Sequence, residues 1–163
     1  MTGRAALLLA GAMLLVAGCG GSGDDGPTRE QFIAEGDAIC KRANEQIGAL
    51  NERISGIEAS AHDADEVFSR AAPILADGHA EQRKHVAEFR ELEPPPADRD
   101  AFEEMVGAFD QAVALVGRLA DAAKARDPAR MASLGAEIEA SRPRVRGVFQ
   151  DYGFRECGSG SEG

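Results

Sequence analysis

Tryptophan is absent from this chain, tyrosine occurs once, and aromatic residues make up 5% of it, so there is little material for a strand-rich core. Basic charge is also in deficit. The formal net charge is −10, which disfavours nucleic acid as a partner because its phosphates would be repelled. No apolar run reaches the ~20 residues of a membrane-spanning helix. Chemical signatures are missing too. There is no Glu-x-x-His for a di-iron bundle, no Cys-x-x-Cys-His for haem attachment, and no glycine loop placed between a strand and a helix to cradle phosphate. Serine is sparse, so a Ser-His-Asp set in a cleft is not expected, and neither a metal nor another cofactor is implied. What remains is rich in Ala, Glu, Arg and Asp, a helix-forming composition.

The first four residues carry one cation, Arg4, and Ala5 to Ala17 follow as an uncharged run of mostly Ala, Leu and Val. A charged start, a short apolar run and small residues before a cut site make a secretory signal. No twin arginine is present, which points to the general export route. Val16-Ala17-Gly18-Cys19 follows directly and resembles a bacterial lipobox, where the signal is cut and the next cysteine is acylated. The resemblance implies that residues 1–18 are removed and that Cys19 becomes a lipid-bearing first residue, with palmitate-type chains holding it in membrane lipid. The protein would then sit on the outer face of the cytoplasmic membrane. The alternative is an ordinary signal peptide with a cysteine nearby. Residues 19–27 form a polar Gly/Ser/Asp tether with no large apolar side chain to bury. Without Arg4 the exported part has 17 basic against 28 acidic side chains.

Residues 28–157 read as an all-α, up-down-up-down four-helix bundle. Thr28 with Gln31 forms a capping box, and apolar residues then recur at steps of three and four: Ile33, Gly36, Cys40, Ala43, Ile47, Leu50, Ile54, Ile57 and Ala61. A second seam runs over Phe68, Ala71, Leu75, Gly78, Gln82, His85, Phe89 and Leu92, with Pro73 expected to kink that helix. Pro94-Pro95-Pro96 ends it in an extended turn. The third seam is Phe102, Met105, Phe109, Ala112, Val116, Leu119 and Ala123. Asp127-Pro128 starts the last helix, whose seam is Met131, Leu134, Ile138, Ser141, Val145, Val148 and Tyr152; Gly153 stops it.

After acylation Cys40 and Cys157 are left as an even pair, which in an exported chain reads as a disulfide; two free buried thiols are the alternative. With the helices level at the distal end, the last helix is expected to finish beside Gly36 to Cys40, within reach of Cys157. The segment after Tyr152 then folds back as a lid, with Phe154 covering Phe32 and Ile33, and residues 158–163 form a disordered tail. Asp37-Ala-Ile-Cys40, the Pro-Pro break and the closing Tyr-Gly-x-x-x-Cys look like small exported lipoproteins of GC-rich Gram-positive bacteria. That resemblance supports the disulfide and implies no chemistry.

Two polar residues, Gln82 and His85, interrupt an apolar seam beside Gly78, and Ser141 falls about a turn away across the bundle. Such residues form either a hydrogen-bonded layer that fixes register or a small ligand pocket with space left by Gly78 and Ala112. Glu81/His85 and Glu58/His62 have the spacing of helix-face pairs. Arg142, Arg144 and Arg146 lie toward the tethered end, where Glu88, Glu91, Glu93, Asp98, Asp100, Glu103 and Glu104 offset them into a mixed-charge surface. A narrow bundle with little cleft is expected. The sequence therefore reads as a non-enzymatic envelope module that binds or scaffolds another exported protein. The second reading is a sensor or carrier with a small ligand near Gln82 and His85. Mass spectrometry of the natural product is expected to show acylated Cys19 at its start and no alkylation of Cys40 or Cys157 before reduction. A soluble product retaining Met1 overturns the exported address.

Overall fold

A computed structural model describes residues 26–159. The expected signal peptide, Cys19 and the expected tether up to residue 25 lie outside the described residues, as do residues 160–163. Four helices follow one another: α1 (Arg29–Ser60), α2 (Ala64–Arg90), α3 (Arg99–Lys124) and α4 (Pro128–Tyr152). Each start has a local cause. The Thr28 hydroxyl accepts the Gln31 N–H at 3.3 Å while the Gln31 side chain accepts the Thr28 N–H at 2.9 Å. Asp63 and Asp127 cap α2 and α4 by accepting the N–H groups of Glu66 and Arg130, at 2.8 and 2.9 Å. The triple proline is extended at Pro95, with φ −51° and ψ 139°, as expected, and then enters a 3₁₀ turn, Pro96–Asp98, which delivers the chain into α3. Pro73 and Pro143 lie inside continuous helices and face solvent.

Consecutive helices pack on each other, which gives the up-down-up-down bundle. Closure of the bundle is different from expectation. No Cα of α1 comes within 8 Å of any Cα of α4, so the first and last helices stand apart. The C-terminal segment fills one end of that gap.

α4 ends in a Schellman turn. Phe154 N–H donates to the Phe149 carbonyl at 3.1 Å and Gly153 N–H to the Gln150 carbonyl at 3.0 Å, with Gly153 at φ 117°. A Cβ is disfavoured in that left-handed conformation, so glycine suits it. The turn reverses the chain, and residues 154–159 climb along α1. Phe154 packs against Phe32 and over Gly36, where a Cβ would stand 2.5 Å from its ring. The Asp37 carboxylate accepts the backbone N–H groups of Arg155, Glu156 and Cys157, its shortest bond being 2.9 Å. Cys157 forms a disulfide with Cys40, Cα atoms 5.0 Å apart. Asn44 Nδ2 then donates to the Glu156 carbonyl and to Ser159 Oγ at 2.9 and 3.0 Å. Asp37, Cys40 and Asn44 sit about a turn apart on one face of α1, which gives the tail a continuous track.

Phe154 covers Phe32 as expected, with ring centroids 5.6 Å apart, and is itself 2% exposed. Two expectations are corrected by this path. α4 finishes beside Arg29 and Phe32, not Gly36 to Cys40: the Tyr152 carbonyl accepts from Arg29 Nη2 at 2.7 Å. Gly158 and Ser159 are held, not loose, because Ser159 bonds Asn44 and Gly158 abuts the Arg146 backbone.

The core is graded along the axis. At the end where α1 begins and α4 finishes, Phe32, Phe89, Phe102, Phe109, Phe149, Tyr152 and Phe154 form one linked set of mostly tilted or edge-to-face rings. The distal end is built from smaller residues, with Leu75, Ala120, Ala123, Leu115, Ala122 and Leu134 buried there. No polar side chain among the described residues is fully buried.

Tyr152 carries the polar handle of the aromatic end. Its hydroxyl donates to Asp98 Oδ2 at 2.6 Å and Arg29 stacks on its ring at 4.2 Å. Burial first, and then the Asp98 carboxylate, push its ionisation well above the ordinary value of about 10. A group whose pKa is raised on folding gives its full stabilisation below the unfolded value and loses it as pH rises. The window of loss therefore opens at about pH 10. Tyr152→Phe is expected to cost about 1–3 kcal/mol at neutral pH and to flatten the fall in stability above about pH 10. Urea titrations at neutral and alkaline pH measure both effects.

Candidate ligand cleft

Below the tail, the gap between α1 and α4 opens into a cavity of about 470 Å³, backed by α2 and α3. A cleft this size lies in the range of about 300–1,000 Å³ that small-ligand sites occupy. It replaces the narrow bundle with little cleft expected from the sequence. Ile39, Ala43, Ile47, Val86, Phe109, Ala112, Val113, Val116, Ile138 and Val145 make most of its wall. Asn44, Gln82, His85, Ser141, Arg142, Arg146 and Ser159 are its polar groups. Between Cys40 and Ile57 no α1 residue is fully buried, because the face that would meet α4 in a closed bundle meets the cleft instead.

The residues singled out in the sequence separate on folding. Gln82, His85, Ser141 and Ala112 do line this cavity. Gly78 does not. It faces Leu50, whose Cδ2 would lie 2.8 Å from a Cβ there, and it borders a second hollow of about 220 Å³ between α1 and α2. The expected hydrogen-bonded layer between His85 and Ser141 is not made. Ser141 Oγ donates to the Ile138 carbonyl of its own helix at 2.8 Å. His85 Nε2 instead meets Gln46 Oε1 on α1 at 2.9 Å. With that oxygen accepting, the ring hydrogen sits on Nε2. Nδ1 is then buried without a hydrogen bond, and the nearest carboxylate oxygen, Glu88 Oε2, is 3.8 Å away.

Glu81 pairs with Lys84 rather than with His85. Glu88 is engaged by Arg42 Nη2 at 2.8 Å across α1 and α2. The three arginines of α4 also divide. Arg144 Nη1 reaches Gln111 of α3 at 3.4 Å, Arg142 Nη2 pairs with Glu139 of its own helix at 3.2 Å, and Arg146 Nη2 donates to the Ser159 carbonyl at 3.5 Å; Arg142 and Arg146 border the cleft. Arg42–Glu88, Arg90–Asp110 and Arg118–Glu137 bridge neighbouring helices at the surface, where such pairs contribute about 0–1 kcal/mol each.

Among the described residues no group of three or more His, Cys, Asp and Glu is placed to hold a metal ion, and no helix is long and apolar enough to cross a membrane. No known protein family, curated protein or solved structure matches this chain.

Sequence periodicity missed Gln46, which looks like an ordinary exposed glutamine, and the arginines' place in the cleft. Their shared signal is spacing: Arg142 and Arg146 are four apart and follow Ile138 on the same face of α4. The empty volume has a direct test. Ala112→Leu adds bulk into the cleft and should leave the melting temperature unchanged or raise it. Ala123→Leu, at a site 1% exposed, should cost about 1–3 kcal/mol through overpacking. Equal losses at the two sites would mean that the cleft is closed in solution.

Proposed function

We propose that the chain is a lipid-anchored, extracytoplasmic binding module that holds a small, largely apolar ligand in the cleft between α1 and α4. The observation that carries this reading is the cavity of about 470 Å³, walled mainly by aliphatic side chains and carrying a few convergent polar groups. Its role is carriage or sensing without catalysis. Acylated Cys19 would hold the module to the outer face of the cytoplasmic membrane. The short tether starts from the aromatic end, so the tail and the upper cleft would face the bilayer side.

The cleft favours ligand binding over a scaffold that recruits another envelope protein through one helix face. Both readings share the anchor and the disulfide-closed bundle. They differ in what occupies the apolar gap. His85 then acts as a polar edge of the site, its ring oriented by the Gln46 amide, which lies outside the cleft lining.

Native mass spectrometry of protein gently extracted from its own membrane is expected to show a bound small molecule. Ala112→Leu should reduce its occupancy without unfolding the bundle. Protein that is always empty and also fails to bind an apolar fluorescent probe overturns the reading.

A further inference from the structure

We propose that His85 makes the cleft acid-sensitive. A proton on its ring and an uncharged apolar ligand in the cleft exclude one another, so the ligand is held at neutral pH and released in acid. This rests on the ligand-binding reading above and adds a condition for release.

His85 lines the cavity, and its side chain is 11% exposed. It is held from the far side: Gln46, which meets Nε2 at 2.9 Å, borders only the smaller hollow between α1 and α2. Asn44, Gln82, Ser141 and Ser159 are uncharged polar members of the lining, and Arg142 and Arg146 are permanent cations. Cys40 is tied in its disulfide. His85 is thus the one lining residue whose side-chain type changes charge between about pH 5 and 8.

The neutral ring has a nitrogen to spare. With the hydrogen on Nε2, Nδ1 is buried and has no hydrogen-bond partner, so a second proton goes there. Glu88 Oε2 stands 3.8 Å away, too far for a hydrogen bond, and Arg42 Nη2 holds that same oxygen at 2.8 Å. An imidazolium at this position therefore either draws Glu88 off Arg42 or depends on water in the cleft. An apolar ligand expels that water and leaves the charge against an apolar surface, which is costly. Proton and ligand consequently compete for the site.

The charges around His85 form a constant background. On α1, Arg42 engages Glu88, while Lys41 and Glu45 are exposed and line neither hollow. On α2, Glu81 pairs with Lys84. No charged residue of α3 lines the cleft, and Asp110 there pairs with Arg90. Across the cleft, Arg142 pairs with Glu139 and Arg146 donates to the Ser159 carbonyl. Carboxylates, lysines and arginines ordinarily keep their charge between about pH 5.5 and 8. The other two histidines lie elsewhere: His62 follows α1, and His79 packs against Gly117 of α3.

The test is binding of the uncharged fluorophore N-phenylnaphthylamine to purified full-length chain carrying Cys19→Ser, with the Cys40–Cys157 disulfide intact. Affinity should weaken by about three- to tenfold from about pH 7.5 to about pH 5.5. His85→Gln should bind with equal affinity at both, and His79→Gln should keep the full dependence. Should His85→Gln fail to fold, proton NMR of the parent chain decides: the titration midpoint of the His85 ring moves to lower pH when the probe saturates the cleft. A midpoint that stays in place overturns the proposal. So does affinity that is level across the range, or a pH dependence that survives His85→Gln; in both cases ligand binding still stands. Absence of probe binding at every pH removes the ligand-binding reading itself.

Discussion

The Asp37 carboxylate and the three consecutive backbone N–H groups it accepts set the architecture at one end of this bundle. Hydrogen bonds to a charged acceptor contribute about 1.5–3 kcal/mol each, more than an ordinary neutral bond, and here they orient a segment that has no regular structure of its own. One turn further along α1, the Cys40–Cys157 disulfide closes a loop spanning 117 residues. On the chain-entropy account such a closure is worth up to ~5 kcal/mol, mostly by constraining the unfolded chain. Asp37 sets the direction of the tail and the disulfide makes its docking permanent. The Tyr-Gly-x-x-x-Cys pattern has the same logic. Tyr152 anchors on Asp98, Gly153 turns the chain, Phe154 enters the core, and three residues later Cys157 reaches Cys40.

A wedge has a consequence for everything below it. Because the tail occupies the space where α4 would otherwise meet α1, those helices cannot close on each other. The bundle compensates at that end with rings. Phe32, Phe89 and Phe154 fill the volume that helix–helix contact would have filled, and Gly36 lets Phe154 approach the α1 backbone. At the far end small residues suffice, with Ala120, Ala122 and Ala123 buried on α3. Between the two lies the cleft, with Phe109 and the tail residues Gly158 and Ser159 in its lining. Structural stapling and the cleft therefore come from one device, a C-terminal segment inserted between the first and last helices.

Much of the local structure was legible in advance. Thr28, Asp63 and Asp127 announce helix starts because their side chains satisfy N–H groups within three residues. The heptad seams found Cys40, Phe89, Met105 and Leu134, which are buried, but they passed over Phe32, Ile39, Val86 and Phe149. Those residues sit one position from a seam residue. A heptad stripe follows one line along a helix, whereas a helix that touches two neighbours and a wedge buries a wider face. Gln82 and His85 are polar breaks in an apolar line, and both line the cleft. Gly78 shares their seam. A rotation of the local face directs it to Leu50 instead.

The sequence by itself determined four helices, their caps, their order and the availability of a cysteine pair. Each of these depends on residues close together in the chain or on side-chain periodicity. Only the tertiary structure decided that the tail runs up α1 in the gap beside α4, that α1 and α4 stay apart, and that an apolar gap opens between them. These outcomes depend on a competition between two ways of covering the same face of α1. A left-handed glycine, a buried phenylalanine and a carboxylate more than a hundred residues away won it for the tail, and no local pattern in the chain records that result.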